Sequence, residues 1–134
     1  MPANLSPIFT LTPVIGVVQI STANANRDGA GAMGIIITGA SDGTRINRIV
    51  IQARGVTTAG MIRLYIADAA GTPIISLWRE VLVTAIAASA TLAAFTSIIN
   101  LIGESALILP NGFTLRASTE RAEAFNVFAE GGNY

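Results

Sequence analysis

Residues 45–67, RINRIVIQARGVTTAGMIRLYIA, contain two apolar runs that alternate with a period of two. Ile49, Ile51 and Ala53 share one side of an extended chain, with Arg48, Gln52 and Arg54 on the other. Ile62, Leu64 and Ile66 repeat the arrangement against Arg63 and Tyr65. Successive side chains of a strand point to opposite faces, so each run predicts a strand with one face in a core and one towards water. Gly55 to Gly60 between them is loop material.

The same signals spread outward from this stretch. Phe113, Leu115 and Ala117 alternate with Thr114, Arg116 and Ser118. Further strands are expected at 14–21, 34–38, 74–84, 92–101, 106–109 and 125–129, the sequence there being rich in β-branched and aromatic residues. Turn residues punctuate them at Ser41-Asp42-Gly43, at Asp68 to Pro73 and at Pro110-Asn111-Gly112. Helical signals are confined to one possible turn at 118–123 and an alanine-rich run at 85–94. The expected fold is all-β: an antiparallel β-sandwich of about eight strands, with jelly-roll or related topology. Pro2, Pro7 and Pro13 break regular pairing, so residues 1–13 are expected to form an extended N-terminal arm and 14–134 a single sandwich domain.

Composition narrows function by exclusion. The 134 residues include no histidine, cysteine or lysine, and all eight basic residues are arginine. General bases near neutral pH, activated thiols, Schiff-base amines and soft metal ligands are thereby removed. No catalytic, cofactor-binding or metal site is expected. Zero net charge without a basic run argues against nucleic-acid binding. Charged residues make up only 12% against 51% hydrophobic, too few to cover the outside of a monomer with polar groups. Oligomerisation or docking on a partner is the expected remedy.

Five local features have a bland explanation. Residues 81–102 carry no charge and are long enough for a membrane helix, but their Ser, Thr and Asn content and the flanking Glu80 and Glu104 favour two strands joined near 87–90. The beginning of the chain lacks the basic and apolar regions of a signal peptide. Gly29 to Gly34 spells G-x-G-x-x-G, yet a polar loop precedes it and Ile35-Ile36-Ile37 follows, the reverse of the strand-then-helix context of a dinucleotide site. Gly39 to Gly43 spells G-x-S-x-G, but no histidine exists to activate Ser41, so a hairpin turn is expected. Asp28, Asp42, Asp68 and Glu104 lie at turns without the spacing of a calcium loop.

Residues expected to meet a partner are Leu5, Ile8, Phe9 and Leu11 in the arm, with Arg48, Arg54, Arg63 and Trp78 on strands. Arginine pairs bidentately with carboxylates, and tryptophan is enriched at interfaces, which makes these types suitable.

Three segments also carry a family likeness. Residues 47–66, the run LPNGFTLRAST at 109–119 and AFNVFAEGG at 124–132 resemble small structural proteins of tailed bacteriophages, over residues from about 45 to the end. Within that group the chain is most similar to capsid decoration (cement) proteins. The resemblance implies a β-rich, non-enzymatic module, often trimeric, on the outer capsid surface of the virion. It would bind across subunits of the major capsid protein and stabilise the shell, without nucleic acid, membrane or cofactor. A tail, fibre or head-completion protein, or a carbohydrate-binding β-sandwich, remains an alternative at this stage.

Overall fold

The computed structural model describes residues 9–102 and 106–134. Nine strands are present: β1 (Thr12–Ile20), β2 (Gly34–Thr38), β3 (Thr44–Ala53), β4 (Gly60–Ala67), β5 (Ile75–Val83), β6 (Thr96–Asn100), β7 (Leu107–Leu109), β8 (Thr114–Thr119) and β9 (Phe125–Asn133). No described residue is helical. One sheet has the order β1-β9-β3-β6, with β7 also on β3, and the other runs β2-β8-β4-β5. All pairings between these strands are antiparallel. Taking β6 and β7 as two halves of one strand, which both pair with β3, this is the eight-strand order of a jelly roll.

The inner faces hold the core that the alternation predicts. Ile46, Ile49, Ile51 and Ala53 of β3 and Phe125, Val127 and Ala129 of β9 face Ile62 and Leu64 of β4 and Leu115 and Ala117 of β8, all buried. β1 and β2 are edges of different sheets and touch each other at Gly16. A Cβ there would collide with the backbone oxygen of Ile36, so glycine permits the approach that closes this corner of the sandwich. Gly131 plays the same part where β3 bulges between Ile46 and Arg48, because a Cβ would strike the Arg45 carbonyl.

Several boundaries differ from the sequence expectation. β1 starts at Thr12, so Thr12 and Pro13 belong to the sheet and not to an arm; residues 1–8 lie outside the described part. β9 continues to Asn133 because Asn133 finds a partner in Thr44. The alanine run makes no helix. Thr57 bridges Ile86, a tight turn joins Ser89 to Leu92, and β6 begins only at Thr96. Residues 81–102 thus finish a strand of one sheet and start a strand of the other. No helix among the described residues is long and apolar enough to cross a membrane. The turn at 39–43 is not a hairpin either, since β2 and β3 lie in different sheets; Gly43, with φ of 99°, lets the chain cross between them.

Two substitutions check this architecture. Ile51→Ala, at a fully buried centre, should lower stability by about 2–5 kcal/mol in equilibrium urea unfolding. Gly16→Ala should cost about 1–3 kcal/mol, since the atom it meets is backbone and cannot swing aside.

Candidate functional site

The two outer faces of the sandwich are treated differently. On the β2-β8-β4-β5 sheet, the period-two reading places Arg63, Tyr65 and Ser118 towards water. They are instead buried, at 3%, 0% and 1% exposure, because residues 21–33 between β1 and β2 fold back as a strap over that face. Asn24 ties the strap together: its Nδ2 donates to the carbonyls of Ala30 and Ala32. The strap is bonded to the sheet by Asn24 N–H on the Thr119 carbonyl at 2.8 Å and by Tyr65 Oη–H on the Asn26 carbonyl at 2.7 Å.

Arg63 is the centre of this attachment. Its Nη1 donates to Glu120 Oε2 at 2.6 Å and to the Asn24 carbonyl at 3.2 Å, while Nε donates to Glu80 Oε2 at 3.0 Å. Glu80 Oε2 also accepts from Arg27 Nε of the strap at 2.8 Å. The Arg27 hydrogen bond, opposed by desolvation and helped by Arg63, holds the Glu80 carboxyl below its ordinary value of 4.5. Burial by itself would lower the Arg63 value, but the hydrogen bonds and charges of Glu120 and Glu80 outweigh it and raise the value. Arg63 makes three hydrogen bonds within the chain and its side chain is 4% exposed, so it stands beneath the strap and not, as expected, on a free surface.

No strap of described residues covers the outer face of the β1-β9-β3-β6 sheet. Register lays its side chains out in rows across four strands. Val17, Phe128, Val50 and Ile98 make one row, with Val17 54% and Ile98 53% exposed. On one side lies an uncharged polar row, Gln19, Asn126, Gln52 and Thr96. On the other lie Ile15, Glu130, Arg48 and Asn100. Arg48 and Glu130 are joined bidentately, at 2.8 Å from Nε and 2.9 Å from Nη2. Beyond that row Thr10 lies against Gly132, and Phe9 and Thr10 line a cleft of about 290 Å³ with Arg45 and Asn47.

The expected partner residues fall on both sides of this division. Phe9 and Leu11 are 76% and 84% exposed beside the open face, and Arg48 stands on it. Arg54 is exposed just past the end of β3. Leu5 and Ile8 lie outside the described residues. Trp78 is half-buried against the core with the Arg79 guanidinium stacked 4.7 Å from its ring centre, and Tyr65 is fully buried. Neither ring is a free platform for a sugar.

Sequence reasoning missed Val50, Phe128, Ile98, Ile15 and Val17 as a surface set. The available signal was the run Val14-Ile15-Gly16-Val17-Val18, apolar on both faces of a strand.

Other possible sites are slight. Asp28 and Asp68 serve local turns, accepting from the N–H groups of Ala30, and of Ala70 and Ile74. Glu104 lies outside the described residues, among which no three acidic, histidine or cysteine side chains gather around a common point. Gly29 and Gly31, from the G-x-G-x-x-G stretch, take positive φ within the strap. A pocket of about 140 Å³ lies between the end of β1 and the start of β2, with the unbonded Ser118 hydroxyl among its lining.

The chain matches no family model, no curated protein and no solved structure. Function must be read from the surface itself.

The strap has a pH signature. A carboxyl held below its ordinary value adds stability that is complete above about pH 4.5 and is lost as pH falls through the folded-state value. The protection of the Asn24 amide, measured as its exchange relative to the intrinsic rate at each pH, should therefore fall on acidification below that point, and Glu80→Gln should flatten the dependence.

Proposed function

We propose that this chain is a non-enzymatic structural protein of a bacteriophage virion that decorates the capsid and stabilises it by binding across major capsid protein subunits. The observation that supports this most directly is the band of exposed apolar side chains just before β1, Phe9 and Leu11, beside a sheet face that no described residue covers. Such a band in water is unfavourable, and its burial against protein is the ordinary way to remove it. The absence of histidine, cysteine and lysine removes the commonest catalytic groups, and the phage resemblance supplies the kind of partner.

The mechanism is adhesive. Apolar side chains at the start of β1 insert between neighbouring shell subunits, and exposed arginines such as Arg54 meet carboxylates at the rim. Each copy touches several subunits, so individually weak contacts add through high effective concentration. A jelly roll suits this work because its strands are cross-linked through two sheets and resist shear. The resemblance also implies self-association.

Addition of the purified chain to shells that lack it should raise their melting temperature in differential scanning calorimetry. Phe9→Asp with Leu11→Asp should abolish that rise while leaving the chain folded. Unchanged melting with the unaltered protein bound or unbound would defeat the proposal.

A further inference from the structure

The open face of the β1-β9-β3-β6 sheet is complementary to itself. Consider a two-fold axis parallel to the strands, running between β9 and β3 and lying in the plane of contact. Rotation about it reverses the strand order and keeps each row at its own height. Val17 then faces Ile98 of the second copy, and Phe128 faces its Val50. Gln19 meets Thr96, and Asn126 meets Gln52, polar against polar. In the third row Arg48 comes opposite the carboxylate of Glu130, and Glu130 opposite the guanidinium of Arg48. These matches follow from the register alone, which puts Glu130 and Arg48, Phe128 and Val50, and Asn126 and Gln52 at equal distances from the axis.

An axis across the strands does worse. Centred on the apolar row, it would set Asn126 on Glu130 and Gln52 on Arg48, and both charges would lose an ionic partner in the other copy. We infer that the outer face of this sheet is an isologous interface, occupied by a second copy of the chain with β9 and β3 beside the two-fold. The ligand of this surface is the same surface, neutral overall because each copy brings one guanidinium and one carboxylate to it.

Size sets the strength. Four strands about 4.8 Å apart and three rows about 7 Å apart give a patch on the order of 400 Å² per copy. A standard stable interface has about 800 Å² per partner, so the pair belongs to the weak, reversible class. Thr10, which lies against Gly132, and Phe9, which lines the cleft with Arg45, mark one end of the contact. The inference rests on the function proposed above only in taking surplus apolar surface to be covered by protein.

The test is sedimentation equilibrium of the full chain from about 10 µM to about 1 mM, the range appropriate to small interfaces. The mass is expected to climb from 13.8 kDa towards twice that value with concentration. Arg48→Glu and Glu130→Arg should each weaken self-pairing by about tenfold or more, since both place like charges across the axis. An equimolar mixture of the two variants should pair again, because each copy then supplies what the other needs. A merely local role of the ion pair would give no rescue on mixing.

Should either reversal unfold the chain, an independent pair of variants reads the same register. The protein has no cysteine of its own. Val17→Cys mixed with Ile98→Cys should be joined into a covalent dimer by a bis-maleimide linker spanning about 8 Å, suited to sheets about 10 Å apart, while each alone should not, because its two copies lie at opposite edges. A chain that stays monomeric throughout, a limiting mass of three copies, or cross-linking of each variant with itself would each overturn the inference. The shell assay fails separately. Pairing without a rise in shell melting rejects the decoration function alone, and a rise in melting by a monomer rejects the two-fold alone.

Discussion

Two sheets have four faces, and the described residues of this chain cover three of them in whole or in part. The inner two cover each other, with Ile49, Ile51, Ile62, Leu64, Leu115 and Val127 wholly buried between them. The third is covered over its middle by the strap at 21–33, with Ile35 and Leu82 of the same face left 47% and 64% exposed. The fourth is left with whatever its own side chains provide. With charged residues at 12% of the chain, those side chains cannot all be polar. Strand segments apolar on both sides, such as Val14 to Val18, are the signature of strands expected to be buried on both sides. Here none of the described residues supplies the second cover.

The asymmetry between the outer faces is maintained by arginine chemistry. Arg63 reaches two carboxylates and a backbone carbonyl at once, which a planar guanidinium can do and an ammonium group does far less well. Its side chain is 4% exposed, whereas both carboxylates keep 31%. Pairs of this intermediate kind add modest stability, but removing a partner would leave a buried cation uncompensated. The strap is therefore fixed in one place, and the bare face cannot borrow it.

The fold was legible in the sequence because alternation and turn chemistry agree at nearly every element. Ile49 to Ala53 and Ile62 to Ile66 lie as the period of two requires. What could not be read was the outer environment. Arg63 and Tyr65 alternate with core residues, so they read as solvated; a loop forty residues upstream in sequence buries them, and nothing local announces it. Val50 lies between Ile49 and Ile51 and so looks like part of a continuous apolar run. Only its register with Phe128 and Ile98 shows that it belongs to a row across the open face. Of the residues expected at a partner surface, Phe9, Leu11 and Arg48 are exposed on or beside the open face, whereas Arg63 is buried beside its two carboxylates, Glu80 and Glu120, which nothing local announces.

The Arg48–Glu130 pair raises a last question, because an ion pair with side chains 47% and 31% exposed adds roughly 0–1 kcal/mol to a fold. Stability of the single chain gives it little reason to stand beside an apolar row. Its effect is larger when another sheet covers it. A face made only of Ile15, Val17, Phe128, Val50 and Ile98 could slide by a row over its mate at small cost, since apolar contact has no direction. With the pair present, sliding by one row sets a guanidinium and a carboxylate against Val50 and Phe128, desolvated and without a counter-charge across the interface. The apolar row supplies the attraction, and the ion pair selects the one arrangement in which that attraction is not opposed. Specificity of this sort comes from penalising the alternatives, and one pair placed off the apolar row is enough to do it.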